Sequence, residues 1–352
     1  MKTLLVALEY PPAVGGVETY YSELVRNWPE EIRVLDNSER KLVNGWRWLP
    51  ALGSVAAQLR SYKPDWLIVG EILPLGTVAW ILAHFFNFKY AVILHGLDFS
   101  LATRNPFKRF LTGRILARAS KIIAVNSYTA ELIEKQYPGS KDKTAVVNPG
   151  ARTFDIPELL PAKLRANYGL EGTFVLLTMA RLVKRKGVDM VLRSLPALLK
   201  RIPSLRYVII GNGPDRAYMQ ALIDEFGLDE HVIFLPTVSE AEKAAWLSIA
   251  DVFAMPARNI GGDYEGFGIV YLDAGFAGKP VIAGRSGGVR DAVSDGINGL
   301  VVDEEDPHSI ALAIERLFDD PELRQRLGEK GHERAAAQSW NLQIKKIYDF
   351  LK

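Results

Sequence analysis

Short runs of consecutive apolar residues recur along the chain, and a longer stretch with a helical pattern follows each of them. Continuous rather than alternating apolar character indicates strands that are covered on both faces, which requires helices between parallel strands. The runs are TLLVAL, IRVLDN, WLIVGE, YAVILHG, KIIAVNS and TAVVNPG in the first half, and FVLLTMA, RYVIIGNG, VIFLP, VFAMPA, PVIAG and GLVVD in the second. Because so many strands would be unusual in one open sheet, the pattern predicts two doubly wound α/β sheets.

The strand pattern fails between Asn148 and Leu170, where three prolines occur and no β-period is present. We therefore predict an interdomain linker in this segment, with a first domain over 1–165 and a second over 166–339. A chain of 352 residues exceeds what a single hydrophobic core usually serves, and its apolar content of 48 % is sufficient for two cores.

Composition and charge narrow the function classes. The chain has no cysteine, which excludes disulfides, thiolate metal sites, iron–sulfur clusters and cysteine nucleophiles. Its 43 Lys and Arg against 41 Asp and Glu leave a net charge of +2, so we expect no nucleic-acid partner. The apolar run from Leu4 to Leu8 is too short for a signal peptide, and the uncharged stretch between Glu71 and Lys89 is interrupted by Pro74. We therefore expect a cytoplasmic protein and a buried helix in that stretch.

In open parallel sheets, ligands bind at the carboxyl ends of the strands, where loops enter the next helix. Four loops at such positions have unusual content: PPAVGGVE, HGLD, ARLVKRKG and GGDYEGFGIVYLDA. In the first of them, Gly15 and Gly16 precede a helical pattern, so their backbone can approach an anion and present N–H groups to it. An ordinary flexible turn would explain the same two glycines.

The GGDYEGFGIVYLDA loop leads into an apolar helix, whose first free N–H groups would form a second anion site. The residues that would carry this site are Gly266, Phe267, Gly268 and Ile269. Glu265 lies just before the helix and Asp273 about two turns into it, and ionised carboxylates accept the hydrogen bonds that sugar or ribose hydroxyls donate. Alternatively, Glu265 caps the helix and Asp273 is a solvated surface acid.

Fixed positive charge is available in the ARLVKRKG loop. Arg181 and Lys186 could neutralise a departing pyrophosphate, although a KRK run is also typical of a solvated turn. No Asp-x-Asp occurs and the five histidines are scattered, so we expect no metal site. His95, in HGLD, follows an apolar strand; its function would be to hydrogen-bond a transferred sugar, and the alternative is a satisfied structural histidine.

The ordered set GGVE, HGLD, R-x4-K-G, EGFGIVYLDA and GKPVIAGRSGG resembles the retaining glycosyltransferases of family 4, along nearly the whole chain. The resemblance implies the GT-B fold: two Rossmann-like doubly wound domains facing a central cleft. It also implies that the final helix crosses back, so that 340–352 completes the first, acceptor-binding domain, while 166–339 binds the nucleotide sugar. The sugar nucleotide is then a donor substrate, and no separate cofactor is expected.

The resemblance assigns a role to each matching residue. It implies that Glu265 contacts the donor sugar's hydroxyls, that Gly266 to Ile269 hold the sugar and phosphates, and that Asp273 binds the ribose. It also implies that Arg181 and Lys186 bind the pyrophosphate and that Gly16 closes over it. His95 would face the sugar's far hydroxyl, and Val238 would contact the base. The family usually has Glu where this chain has Asp273, so we expect altered nucleotide affinity; an inactive sugar-nucleotide-binding relative is the alternative.

Membership of this family would imply a front-face displacement, with the leaving phosphate helping to take the acceptor's proton. The stretch from Arg258 through Gly262 into EGFG is similar to mannosyltransferases, which favours GDP-mannose and leaves UDP-hexoses open. In 104–121, six Lys and Arg surround Phe107, Phe110 and three aliphatic residues. This helix would suit an anionic membrane surface, with the protein peripheral on the inner face of the membrane and the acceptor linked to a lipid; a glycan acceptor stays open. The alternative is a core-packed helix with a solvated cationic face.

Other enzyme classes have weaker motifs. Gly284 to Gly288 fits G-x-S-x-G, with Ser286 as a nucleophile and His308 or His332 downstream, as in a serine hydrolase. GNGPD lacks the third glycine of a dinucleotide fingerprint, which disfavours a dehydrogenase. A phosphorylase or an epimerase is also compatible with the wider fold.

Overall fold

A computed structural model describes residues 1–12, 15–38, 42–44 and 48–352. The chain divides into two compact units. The first comprises Met1–Pro149 together with Trp340–Lys352, and the second is the continuous segment Gly150–Ser339.

The first unit is built on a six-stranded parallel sheet with the order β2-β1-β3-β4-β5-β6. Its strands are β1 (Thr3–Ala7), β2 (Ile32–Asp36), β3 (Trp66–Val69), β4 (Lys89–Leu94), β5 (Lys121–Ala124) and β6 (Thr144–Val146). Its helices up to Pro149 are α1 (Gly16–Arg26), α2 (Leu49–Ser61), α3 (Thr77–Leu82), α4 (Leu97–Ala102), α5 (Pro106–Arg118) and α6 (Ser127–Gln136). A π-helical turn, Ile72–Gly76, precedes α3, and a 3-10 turn, Pro138–Lys143, precedes β6.

The second unit repeats this architecture with the strand order β12-β11-β10-β7-β8-β9. Its strands are β7 (Phe174–Met179), β8 (Leu205–Ile210), β9 (Val232–Leu235), β10 (Val252–Met255), β11 (Val281–Ala283) and β12 (Gly299–Val301). Its helices are α7 (Leu160–Asn167), α8 (Val188–Arg201), α9 (Arg216–Phe226), α10 (Glu240–Ile249), α11 (Ile269–Phe276), α12 (Val289–Ala292), α13 (Pro307–Asp319) and α14 (Pro321–Ala337), with a 3-10 turn at Lys184–Lys186.

The twelve apolar runs form the twelve strands, and the prediction of two doubly wound parallel sheets is confirmed. Inner strands such as β1, β3 and β7 are buried along their whole length, as continuous apolar runs require. Capping residues mark where helices begin. The Asn105 side chain caps α5 by accepting from the Lys108 N–H at 2.9 Å. Ser239 and Glu242 form a reciprocal capping box at the start of α10.

The last helix, α15 (Trp340–Leu351), belongs to the first unit. The Trp340 ring lies edge-on to Tyr20 with ring centroids 5.5 Å apart, and Tyr348 lies edge-on to Trp28 at 5.6 Å. Aromatic pairs of this geometry bury large apolar areas and fix the helix against α1. This packing agrees with the expectation, drawn from the family resemblance, that 340–352 completes the first domain.

The units divide at Pro149, whereas the sequence analysis placed the boundary at 165. The segment after Gly150 joins the second unit because its apolar residues enter that unit's core. Leu164 is 6 % exposed and Leu170 is fully buried there, and Tyr168 packs against Trp246 with centroids 5.2 Å apart. In the uncharged stretch after Glu71, α3 is buried along most of its length. Within the described ranges, no helix combines the length and apolar character needed to span a membrane.

Candidate functional site in the loops of the two sheets

A cluster of opposite charges lies in the second unit where the loop after β7 meets the loop after β10. Glu265 is 7 % exposed and pairs with Lys186, while Arg185 Nη1 lies 2.8 Å from the same Oε2 atom. Arg185 also binds Asp263 through Nε at 3.0 Å. The sequence analysis selected Lys186 and Glu265 separately, and the structure brings them into direct contact.

The charge state of this cluster follows from its burial and its pairing. Burial alone would raise the pKa of Glu265, but the adjacent Lys186 and Arg185 outweigh it and hold that pKa below its usual value. Burial lowers the pKa of Lys186, with Arg185 acting in the same direction and Glu265 against it. The carboxylate is therefore ionised and already surrounded by donors, which leaves its remaining lone pairs for further hydroxyl groups.

The backbone around Glu265 is held from several sides. The Glu265 N–H donates to Ser286 Oγ at 3.2 Å, and the Gly288 N–H donates to the Glu265 carbonyl at 2.9 Å. The Arg258 N–H donates to the Arg185 carbonyl at 2.8 Å, which ties the two loops together. These bonds position the carboxylate independently of any ligand.

Arg258 also anchors the start of α8. Its Nη2 atom lies 2.7 Å from Asp189, and both side chains are nearly fully buried. Removing one member of a buried pair leaves an uncompensated charge, which costs about 3–5 kcal/mol. Arg258 was used in the sequence analysis only as part of a stretch similar to mannosyltransferases; its physical role is to brace the Lys186 turn.

The glycine turn before α11 matches the predicted anion site in form. Gly268 is the N-cap residue of α11, lies in the left-handed region with φ of 80°, and supplies no side-chain cap. A Cβ on Gly268 would collide with the Tyr271 ring, so glycine is required here. Phe267 is 3 % exposed and anchors the turn in the core, while Gly266 and Ile269 are partly exposed. The first N–H groups of α11 thus have no side-chain acceptor at the cap.

Asp273 is not a solvated surface acid, because only 1 % of it is exposed. It pairs with Lys243 of α10, and Arg152 Nη2 lies 3.5 Å from the same Oδ2 atom. Its other oxygen, Oδ1, is buried and has no hydrogen-bond partner among the described residues. Sequence reasoning missed Lys243 and Arg152, because nothing in their local pattern connects them to an acid 30 or more positions away.

Two other residues of the second unit, Arg181 and Val238, were predicted to belong to the site. Arg181 is exposed, and in the described part of the chain it forms no ion pair, so the structure does not bring it into the Lys186–Glu265 cluster. Val238 is partly buried against the core, directly before the capping box of α10. The described ranges hold no group of three or more metal-ligating side chains arranged around one point.

In the first unit, Gly15 and Gly16 begin α1, and Ala13 and Val14 of the same loop lie outside the described residues. Gly15 has extended backbone and caps the helix, and its carbonyl accepts from the Thr19 N–H at 3.1 Å. A Cβ built on Gly16 would meet no described atom within 4 Å. No described atom therefore fills the space immediately beside Gly16.

His95 lies at the end of β4 and is surrounded by aromatic rings. Its Nε2 atom is 2.8 Å from the Tyr21 hydroxyl, and the Asp98 carboxylate accepts from the His95 N–H at 3.0 Å and the Gly96 N–H at 2.8 Å. Burial lowers the pKa of His95 to about 3, and burial also raises the pKa of Asp98 to about 6. The imidazole is therefore neutral at physiological pH.

Among the described residues, Ser286 contacts no catalytic partner of the kind that a serine hydrolase needs. Its hydroxyl is 2 % exposed and accepts from the Glu265 backbone. His332 instead binds the Phe276 carbonyl at 2.6 Å, and His308 lies in the first turn of α13. In the described residues no histidine contacts Ser286, so the geometry supplies no base for it.

Comparisons with known proteins agree with one another. Residues 162–334 match the sequence model described as glycosyl transferases group 1, and residues 14–153 match that described as glycosyltransferase family 4. The chain is 31 % identical to the GDP-mannose-dependent alpha-(1-6)-phosphatidylinositol monomannoside mannosyltransferase of Mycolicibacterium smegmatis, over 93 % of this chain and 92 % of that protein. It is 27 % identical to a GDP-mannose-dependent monoacylated alpha-(1-6)-phosphatidylinositol monomannoside mannosyltransferase of Corynebacterium glutamicum, over 100 % and 98 %.

Solved structures with the same fold have lower identity. Anabaena HepE in complex with UDP has a TM-score of 0.82 at 19 % identity, covering 100 % of this chain and 99 % of that one. Sucrose-phosphate synthase from Thermosynechococcus elongatus also has a TM-score of 0.82, at 22 % identity, covering 99 % and 98 %.

Proposed function

The chain belongs to glycosyltransferase family 4, and on this premise we propose that it transfers mannose, with retention, from GDP-mannose to a hydroxyl of a lipid-linked acceptor. It is a hexosyltransferase that uses a nucleoside-diphosphate sugar. The mannose and GDP assignments draw on two relatives named as GDP-mannose-dependent mannosyltransferases, which cover nearly the whole chain.

The observation that carries the proposal is the contact of Lys186 and Arg185 with buried Glu265, beside the uncapped start of α11. Cations and free N–H groups suit a diphosphate, and an ionised carboxylate suits sugar hydroxyls. We therefore assign the diphosphate to Lys186, Arg185 and the amides from Gly266 to Ile269. We assign the mannose hydroxyls to Glu265.

The remaining roles follow the family pattern. Asp273, held by Lys243, would bind the ribose, and Val238 would contact the base. Arg181 is solvent-exposed and would join the diphosphate only when the donor is bound. In the first unit, Gly16 would approach the diphosphate and His95 would bind a sugar hydroxyl.

In the proposed reaction, the bond from the anomeric carbon to the phosphate oxygen breaks as the bond to the acceptor oxygen forms on the same face. The acceptor's proton passes to the departing phosphate. Lys186 and Arg185 stabilise the negative charge that develops on that phosphate, which is the electrostatic effect that usually contributes most to catalysis. The protein has to orient the two substrates and exclude water from the reacting centre.

The lipid-linked acceptor is supported by the surface of α5. Phe107 is 74 % exposed and Phe110 is 68 % exposed, and Arg104, Lys108 and Arg114 are exposed near them. Apolar rings beside cations favour the interface of an anionic bilayer. The inward residues Ile115 and Leu116 are fully buried, so α5 is packed on the core and still presents an aromatic and basic surface.

The donor assignment is tested by incubating the purified chain with GDP-mannose or UDP-glucose and an acylated phosphoinositide acceptor, then determining the anomeric configuration of the product by NMR. We expect transfer from GDP-mannose with an α-linked product. Efficient transfer from UDP-glucose alone would overturn the donor assignment, and an inverted product would overturn retention.

The membrane assignment is tested by co-sedimentation with anionic vesicles. Lys108→Glu with Arg114→Glu should abolish binding, since each basic residue near the surface contributes about 1 kcal/mol. Lys163→Glu with Lys200→Glu, both exposed in the second unit, changes the net charge equally and should preserve binding. Equal binding by both double variants would remove the membrane role.

A further inference from the structure

Two consecutive tyrosines of α1 touch His95 in nearly the same way. Tyr20 and Tyr21 are 1 % and 0 % exposed, and their rings lie edge-on to the imidazole with centroids 5.1 and 5.3 Å away. Their hydroxyl groups differ. The Tyr21 hydroxyl contacts both His95 Nε2 and the Gly70 carbonyl, whereas the buried Tyr20 hydroxyl has no hydrogen-bond partner among the described residues.

The hydrogen bonds of the Tyr21 hydroxyl determine which nitrogen of the His95 imidazole carries the proton. A hydroxyl has one hydrogen to donate, and a carbonyl oxygen can only accept. The Tyr21 hydroxyl therefore donates to Gly70, and the contact at 2.8 Å to His95 has to be donated by the ring. Because a neutral imidazole has a hydrogen on only one nitrogen, the proton is on Nε2 and the lone pair is on Nδ1.

We propose that Tyr21 is a positioning residue that holds His95 in the Nε2–H tautomer, so that Nδ1 accepts a hydrogen bond from a hydroxyl of the transferred sugar. The inference deepens the proposed function, since it rests on His95 facing that sugar. It makes the site selective: Nδ1 binds a group that donates a hydrogen bond and disfavours one that only accepts. A sugar hydroxyl donates, whereas a phosphate oxygen or a fluorine substituent does not.

Neighbouring groups keep the His95 imidazole and the Tyr21 hydroxyl neutral and in place. Burial lowers the pKa of His95 to about 3 and raises the pKa of Tyr21 well above its usual value, so neither group ionises near neutral pH. Gly70 leaves room for the hydroxyl, because a Cβ there would lie 2.8 Å from the Tyr21 oxygen. The Asp98 carboxylate holds the His95 and Gly96 N–H groups and thereby fixes the backbone that carries the ring.

The tautomer is measured directly by nitrogen-15 NMR of the full chain labelled at histidine, with the His95 signals assigned from His95→Gln. We expect a protonated Nε2 and an unprotonated Nδ1 in the unaltered protein. Tyr21→Phe removes the acceptor and should give a mixture of tautomers, whereas Tyr20→Phe keeps the edge-on ring and should leave the signals unchanged. A protonated Nδ1 in the unaltered protein, or identical spectra for all three proteins, would overturn the inference.

Kinetics provide the second measurement. Tyr21→Phe should lower kcat for mannose transfer about tenfold, the scale of one lost hydrogen bond, with KM changed less than threefold. Tyr20→Phe should retain full kcat. Gly70→Ala, which displaces the Tyr21 hydroxyl and keeps the tyrosine, should reproduce the Tyr21→Phe spectrum and kcat. The NMR result is independent of the donor, so failure of the GDP-mannose assignment leaves it intact, while normal kcat in all the variants would contradict the positioning role.

Discussion

The second unit buries its acids opposite cations, whereas the first unit keeps Glu71 and His95 neutral. Glu265 pairs with Lys186 and Arg185, and Asp273 pairs with Lys243 and Arg152. In the first unit, burial raises the pKa of Glu71 to about 8 and lowers the pKa of His95 to about 3. Both arrangements avoid an isolated buried charge, one by pairing and the other by proton uptake or release.

The contrast indicates a division of labour between the units. Paired charges can be rearranged around a charged ligand such as a diphosphate, because each cation can exchange one anionic partner for another. Neutral donors and acceptors can bind hydroxyl groups, as the ionised Glu265 can, but they offer no counter-charge to a diphosphate. The following variants test whether charge is used in one unit and neutrality in the other.

The largest effect is expected from Lys186→Ala. It removes a stabiliser of the departing diphosphate and should depress turnover by about a hundredfold or more, measured with saturating donor. Lys184→Ala is the matched control, because Lys184 belongs to the same turn but stacks on the Tyr218 ring, 4.7 Å from its centroid. Near-normal turnover in Lys186→Ala, or an equal loss in Lys184→Ala, would contradict the assignment.

Asp273→Asn should have the next largest effect. It removes the charge that holds Lys243 and should weaken GDP binding about tenfold, the scale of one charge-assisted hydrogen bond. Isothermal titration with GDP checks this, and Asp229→Asn, at an exposed position of the same unit, provides the control. Unchanged GDP affinity would show that Asp273 is a structural ion-pair partner only, and the ribose role would be lost.

The neutral state of Glu71 in the first unit is tested through the pH dependence of the protein's stability. Glu71 accepts from the Leu8 N–H at 3.1 Å, and burial raises its pKa from 4.5 to about 8, with Glu9 and Asp98 adding to the rise. Between these two values the folded protein holds a proton that the unfolded chain lacks, so the free energy of unfolding falls as pH rises. Glu71→Gln cannot lose that proton and should gain roughly 2–4 °C in Tm relative to the unaltered protein between pH 6 and 9.

The control for this measurement is Glu18→Gln, on α1 of the same unit. It should not show the gain in Tm expected for Glu71→Gln. Parallel curves for Glu71→Gln and the unaltered protein would mean that Glu71 is ionised when folded, and the contrast between the two units would fail at Glu71.

The smallest effect is expected from Ser286→Ala. Among the described residues, its hydroxyl accepts only from the Glu265 backbone N–H, while the Lys186 and Arg185 contacts hold the Glu265 side chain. We expect a loss of about 1 kcal/mol in the free energy of unfolding by urea titration, and turnover within about threefold of normal. A loss of turnover as large as that of Lys186→Ala would return Ser286 to consideration as a nucleophile.

The sequence predicts the sheets well and the site less completely. Continuous apolar runs are a direct consequence of burial on both faces, so all twelve strands could be read from them. Contacts between distant segments leave no local pattern, which explains why Arg152, Lys243 and the Arg258–Asp189 pair were not anticipated. The boundary near Pro149 was missed for the same reason, since the core position of Leu164 depends on residues far along the chain.

The placement of α15 on the first unit has a consequence for synthesis. The segment from Gly150 to Ser339 is continuous and can complete its own sheet as soon as it has left the ribosome. The unit that begins first is finished last, because Trp340 has to return to Tyr20 beside the His95 ring. Until translation reaches that helix, the apolar surface of α1 that it covers stays open to chaperones.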